Sequence, residues 1–357
     1  MTTRAFRSRI RSCRNSAVRG AGLCLVLGVV LLCVNTAVAQ SAGAFSRIGF
    51  GSRGIALGNA LAADVMGPAS PFYNPALAPY IEAQSLSISV AAMSFDRSLQ
   101  FIQLASPMQK AGIALGLIHS SVGNIDGRDN SGFHTRDLSI DEYQGFLAFG
   151  IRLSDKFSGG LDFQFFRTDL FDTLDPAVSI AIDVGLNYRI SETLSFAFVA
   201  DDLLGRYTWN TGGVNGSAGK KTTDYFPTRL RFGVAKTFKD GTLLILGEIE
   251  SRSSKVESIS SRVEVFISQP LEVTNRETLT LQEIRFRMGA EYTLVPQFVL
   301  RAGLEQLGSE TSRGFRPSAG FMLSQDVGNL KTRFEYTFAR EVQASGSMHI
   351  FSLVLFL

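Results

Sequence analysis

The sequence predicts an all-β protein, a 14-stranded antiparallel transmembrane β-barrel with an N-terminal plug, or hatch, segment. Three observations predict it. Hydrophobicity alternates with a period of two in segment after segment of residues 84–357, which gives each strand one apolar and one polar face. Most of these segments run 10–14 residues, whereas soluble strands average about 5–6 and a tilted membrane-spanning strand needs about 9–11. The connections are tight at every second position and often long between, which is the rim asymmetry of outer-membrane barrels, with the short side periplasmic.

Residues 1–39 read as a cleaved signal peptide. Arg4, Arg7, Arg9, Arg11, Arg14 and Arg19 precede the apolar run Ala21–Val34, and Ala37-Val38-Ala39 supplies a small-x-small cleavage site. The run is 14 residues, short of the roughly 20 that a membrane helix needs. Leu32 stands before Cys33, where a lipoprotein signal carries a small residue. Cleavage after Ala39 would leave Gln40 first. The whole chain has 357 residues, 35 basic and 32 acidic, but six of the arginines and all three cysteines (Cys13, Cys24, Cys33) lie in residues 1–39. Residues 40–357 therefore carry a net charge of −3 and no cysteine, so disulfides, thiolate metal sites and nucleic-acid binding are disfavoured.

Residues 40–83 do not alternate. Gly49, Gly51, Gly54, Gly58 and Gly67 with Pro68, Pro71, Pro75 and Pro79 punctuate them, and Asn74-Pro75 suits the start of a short capped helix. The segment reads either as a periplasmic arm or as a plug folded into the lumen. Residues 84–357 then supply fourteen strands: 84–95, 98–106, 110–121, 142–153, 157–169, 177–190, 193–203, 226–238, 242–251, 282–294, 297–307, 315–325, 329–341 and 347–357. The second is the weakest, because Gln100 and Gln103 break its alternation. Residues 122–141, 204–225 and 252–281 read as long loops. Phe351, Leu353, Leu355 and Leu357 alternate to the C-terminus, like the terminal strand read by the barrel assembly machinery, with Leu where Phe is usual.

Two stretches carry a family resemblance. Gly51-Ser52-Arg53-Gly54-Ile55-Ala56-Leu57-Gly58-Asn59-Ala60 is followed by Phe72-Tyr73-Asn74-Pro75-Ala76-Leu77-Ala78, with Gly289-Ala290-Glu291-Tyr292 and Leu300-Arg301-Ala302-Gly303-Leu304 downstream. In these the sequence resembles the PorV/PorQ branch of the FadL-like outer-membrane proteins. That resemblance implies fourteen strands and an N-terminal hatch built on Arg53, Gly54, Gly58, Asn59, Phe72, Tyr73, Asn74, Pro75 and Ala76; the residues themselves offer no catalytic, metal or nucleotide fingerprint, so no enzymatic activity or cofactor is expected. It implies a type IX secretion-associated scaffold or shuttle binding exported proteins, which is the reading preferred from the sequence, with a channel for long-chain fatty acids or other hydrophobic compounds as the alternative. The second function needs an apolar pocket, for which Phe45, Ile48, Phe50, Phe72 and Tyr73 are candidates; a hatch core would use the same residues.

The inward face mixes charge signs. Arg229, Arg231, Arg285, Arg287, Arg301 and Arg333 interleave with Asp162, Asp183, Asp201, Glu248, Glu283, Glu291, Glu305 and Glu335. Unpaired charges in a confined lumen are costly, so these residues are expected to pair across strands, brace a plugged barrel and give low ion conductance. His134 lies in residues 122–141 with Asp126, Asp129 and Asp137; this reads as a solvated loop, without the spacing of a calcium or catalytic site. Tyr207, Trp209 and Tyr225 suit either protein contacts or an interfacial aromatic belt.

Overall fold

The structure, a computed structural model, describes residues 42–68, 70–171, 174–210, 212, 221–266, 269–307, 315–328, 330–341 and 346–357, and leaves the side chains of 257–277 undescribed. The expected signal peptide and its cleavage site lie outside the described residues. Sixteen strands follow in chain order: β1 (Ser85–Met93), β2 (Arg97–Met108), β3 (Ala111–Arg128), β4 (His134–Arg152), β5 (Phe157–Leu170), β6 (Ala177–Ser191), β7 (Leu194–Leu203), β8 (Arg206–Asn210), β9 (Lys221–Tyr225), β10 (Thr228–Phe238), β11 (Leu243–Phe266), β12 (Gln269–Val295), β13 (Phe298–Leu307), β14 (Arg316–Val327), β15 (Leu330–Arg340) and β16 (Ser347–Phe356).

Fourteen of them close an antiparallel barrel in sequence order, and β8 and β9 form a separate hairpin between β7 and β10. β1 closes the barrel against β16, with Ile88 opposite Leu353 and Val90 opposite Phe351, and the Leu357 N–H donates to the Gln84 carbonyl at 2.9 Å. Every strand of the closed ring pairs with a neighbour on each side, which is what allows polar backbone to sit in a lipid environment.

The faces sort as the period of two requires. On β6, Val178, Ile180, Leu186 and Tyr188 are exposed, while Ser179, Ala181, Asp183 and Asn187 are buried. On β12, Ile284, Phe286, Met288, Tyr292 and Leu294 are exposed, and Arg287 is buried. An apolar exterior around a polar interior inverts a soluble barrel; lipid is the solvent it fits.

Two of the expected long loops are instead continuations of strands. β3 and β4 stay paired out to Arg128 and His134, and β11 and β12 form a hairpin of 24 and 27 residues. Beyond the lipid belt both faces of a hairpin meet water, so the hydrophobic alternation stops while the backbone ladder continues. The third, 204–225, folds back as the β8–β9 hairpin, with Arg206 opposite Tyr225.

Candidate functional site

Residues 42–83 pass through the barrel. They form a short 3₁₀ turn (Ala44–Arg47), one helix, α1 (Gly51–Ala56), and a second 3₁₀ turn (Pro75–Tyr80). Glycines make the room. A Cβ on Gly303 of β13 would lie 2.2 Å from the Gly58 nitrogen, and one on Gly289 of β12 would lie 2.5 Å from the Leu57 carbonyl oxygen. Gly58 itself has φ +62° and would press a Cβ to 2.7 Å from the Met288 carbonyl oxygen. Wall and plug backbones thus touch directly, at a place only glycine permits.

A buried irregular segment needs partners for its backbone groups, and the barrel's small polar side chains supply them. Thr337 Oγ1 donates to the Ser52 carbonyl at 2.9 Å and Ser318 Oγ to that of Ala56 at 3.2 Å. Ser195 Oγ donates to the Ala63 carbonyl at 2.5 Å and Ser158 Oγ to that of Ala76 at 2.8 Å. Asn74 caps the second 3₁₀ turn by accepting from the Ala76 N–H at 2.9 Å, and its Nδ2 donates to the Ala62 carbonyl at 2.7 Å. Asn59 and Tyr73 lock the two glycine-rich stretches together. The Tyr73 hydroxyl donates to Asn59 Oδ1 at 2.6 Å and accepts from the Phe50 N–H at 2.8 Å, and Gly54 leaves space for that ring. Asn59 Nδ2 reaches on to Glu305 at 3.0 Å.

Charged residues close the remaining lumen. Arg53 of the plug pairs with Asp64 at 2.6 Å and with Glu291 of β12 at 2.9 Å. Glu291 also takes Arg301 at 2.8 Å, and Arg301 reaches Glu335 at 3.1 Å. A second web joins Arg231 to Asp201 at 2.5 Å and to Glu248 at 3.4 Å, and Arg287 to Glu248 and Glu250, both at 2.5 Å, and to Glu305 at 3.4 Å. Arg231 Nη2 donates to the Tyr73 carbonyl at 2.5 Å, so this web also holds the plug. Arg229 pairs with Asp202 at 2.9 Å, and Arg285 with Glu283 on its own strand at 2.7 Å. Arg333 lies 4.6 Å over the Phe356 ring. Asp183 is bonded by neutral donors instead of a cation.

Phe45, Ile48, Phe50, Phe72 and Tyr73 enter a packed aromatic core. Phe50 stacks on Phe72 at 4.8 Å and meets Phe101 and Phe146 edge-on at 5.2 and 5.5 Å. A second file of rings runs Phe45–Phe166–Phe226–Tyr207–Trp209, with centroid spacings of 6.3, 4.9, 4.9 and 5.6 Å. It leads from the plug to the β8–β9 hairpin, so Tyr207 and Trp209 belong to this file. A cavity of about 30 Å³ is lined by Phe72 and Tyr73 but mostly by polar and charged side chains, among them Gln144, Gln164, Asp183, Asp201, Asp202 and the four arginines Arg47, Arg229, Arg231 and Arg287.

Several site residues escaped the sequence reading. Asp202 turns inward beside Asp201 because β6 and β7 slip register between Ile182 and Val184, and Asp202 has φ +59°. Consecutive aspartates in a strand were the available signal. Asp64 lies in the plug, where no period applies, while Glu250 continues the face of Glu248 and was legible from spacing. At the β3–β4 tip, His134 Nδ1 bonds Asp126 at 2.7 Å with both side chains exposed. Among the described residues, no three His, Cys, Asp or Glu side chains converge as metal ligands.

Neither a family sequence model nor a curated protein sequence matches the chain, so the PorV/PorQ resemblance stands on its motifs alone. Solved structures do match. The toluene transporter TodX of Pseudomonas putida superposes with a TM-score of 0.57 at 15% identity, over 86% of this chain and 97% of that one. The CymD monoaromatic hydrocarbon channel gives 0.57 at 14% identity, over 86% and 97%. A Pseudomonas aeruginosa FadL homologue gives 0.53 at 13% identity, over 86% and 98%. Closed fourteen-stranded barrel, polar lumen and apolar belt together give this chain the fold of the FadL-like outer-membrane channels.

Proposed function

We propose that this protein is a non-enzymatic outer-membrane channel for small hydrophobic compounds, with compact aromatic hydrocarbons as the substrate class. The observation that carries this is the file of rings from Trp209 through Tyr207, Phe226 and Phe166 to Phe45. These rings are packed and largely buried against one another at ordinary aromatic spacings, so an apolar ligand would meet their faces and edges as the plug and the β8–β9 hairpin part. The charged residues beside it are largely paired with one another, which leaves an ionic solute little to bind. The plug fills the lumen, so passage requires it to yield. Residues 40–83 act as the hatch, and Val65 and Met66 within it border a cleft of about 340 Å³ with the turns at Glu192 and Asp240.

The fold is shared with hydrocarbon channels, and this favours the conduit over a secretion scaffold binding exported proteins. The test is radiolabelled toluene uptake by cells that lack their own hydrocarbon channel and express this protein. Faster uptake than in vector controls supports the proposal. Equal uptake, with the barrel assembled in the outer membrane, defeats it; co-purification of a secreted protein in that case would favour the scaffold.

A further inference from the structure

Asp162 of β5 and Asp183 of β6 face each other across the ladder and are 1% and 2% exposed. Their neighbours Asp201 and Asp202 take Arg231 and Arg229 at 2.5 and 2.9 Å. Among the described residues, no Arg, Lys or His nitrogen pairs with Asp162 or Asp183. Both instead accept from one amide, with Gln164 Nε2 donating to Asp162 Oδ2 at 2.9 Å and to Asp183 Oδ2 at 2.6 Å. The Asp202 N–H donates to Asp183 Oδ1 at 2.7 Å. Asp162 Oδ1, Gln164 Oε1 and Gln144 Oε1 are buried and have no hydrogen-bond partner. Gln144, Gln164 and Asp183 line one cavity together with Arg47, Arg229, Arg231 and Arg287, which pair with Asp201, Asp202, Glu248 and Glu250.

We propose that Asp162, Asp183 and Gln164 form a binding site for one divalent, oxygen-seeking cation of calcium's chemistry. Two buried carboxylates beside unpartnered amide oxygens make a set of acceptors that lacks a positive charge, and such a set is costly until one is supplied. A single proton would neutralise one carboxylate and still leave amide oxygens unpartnered. A divalent ion matches both charges and takes several oxygens at once. The Gln164 amide group stands 2.9 and 2.6 Å from one oxygen of each carboxylate, close enough for all three groups to share one ion with calcium–oxygen bonds of roughly 2.3–2.6 Å. Rotating that amide by half a turn, a change in which oxygen and nitrogen trade places with little change of shape, presents Oε1 to the same ion. The site ties β5 to β6 and, through Asp202, to β7, beside the register slip at Ile182 and Val184.

The experiment is calorimetric titration of calcium chloride into the EDTA-stripped, detergent-solubilised full chain. The expected result is one ion per chain with a Kd on the order of 0.1 mM. Asp162→Asn/Asp183→Asn is expected to fold, as judged by heat-modified gel mobility, and to lose the binding. Should that pair fail to fold, Gln164→Leu is the second variant, with affinity expected to fall about tenfold, the loss of one ligand among several. Absence of binding by the unaltered chain, or unchanged binding by either folded variant, overturns the proposal. So does an unaltered chain that ignores calcium but loses stability as pH rises, since the pair then holds a proton.

Discussion

Replacing Arg53 by alanine removes a cation that joins the plug both to itself and to the wall. Arg53 contacts Asp64 at 2.6 Å, Glu291 at 2.9 Å and the Pro68 carbonyl at 3.3 Å, and it is 8% exposed. Its loss is unequal for its two partners. Glu291 keeps Arg301 at 2.8 Å, whereas Asp64, 1% exposed, keeps only the Gly67 N–H at 2.9 Å. One buried carboxylate is thus left without a cation, which costs about 3–5 kcal/mol. The docked plug bears that cost and an undocked plug does not, because water then reaches Asp64. At about 1.4 kcal/mol per decade, the undocked population rises roughly 10²–10⁴-fold. Planar-bilayer recording is the assay: the unaltered protein is expected to be nearly silent and Arg53→Ala to show frequent ion-conducting bursts. Arg53→Ala/Asp64→Ala removes the orphaned charge along with its partner and should be quieter than the single variant. A single variant as silent and as stable as the parent would refute the reasoning.

Gly303→Val would drive a side chain into the Gly58 and Leu57 backbone, so plug docking should weaken by about 1–3 kcal/mol or more, read as earlier protease cleavage within residues 42–83. Phe226→Ala empties the space between Phe166 and Tyr207, each 4.9 Å from it, at a cost of about 3–5 kcal/mol, and Trp209 emission should shift red as the β8–β9 hairpin loosens. At the β3–β4 tip, the Asp126 hydrogen bond holds the His134 pKa above its ordinary value, and the His134 and Arg128 hydrogen bonds hold that of Asp126 below its own. The His134 contribution is present at low pH and lost as pH rises through its raised pKa; the Asp126 contribution is lost as pH falls through its lowered one. Amide exchange at the tip should therefore be slowest between those two pKa values, and His134→Gln should abolish the slowing on the low-pH side of the His134 transition.

The barrel was legible because its signal is repeated. Barrel strands show an apolar side chain to lipid at alternate positions where they cross the belt, and errors in one segment do not propagate. The weak second strand illustrates the limit: Gln103 faces inward among Leu99, Phe101 and Ala105, while Gln100 bonds His119 at 2.6 Å. The lumen was only partly legible. Glu248, Arg287 and Arg301 follow from parity, but which acid each arginine meets depends on register. Asp202 turns inward beside a register slip at 182/184, which no hydrophobic pattern records, and the slip at 286/288 sets the partners of Glu305, an acid already expected on the inward face. The plug has no period at all. Its glycines hinted at close contact, yet the contacts between Gly58, Gly289 and Gly303 join residues more than 200 positions apart.

The plug must yield for a hydrocarbon to pass, and residues 40–357 contain no cysteine to interfere with a lock. Ser52 Oγ and Thr337 Oγ1 are 2.6 Å apart across the plug–wall boundary. The decisive measurement is toluene uptake by cells expressing Ser52→Cys/Thr337→Cys, oxidised and then reduced. Uptake that falls to the vector level when the disulfide forms and recovers on reduction is the predicted result. Equal uptake in both states, with the cross-link complete, would contradict the account.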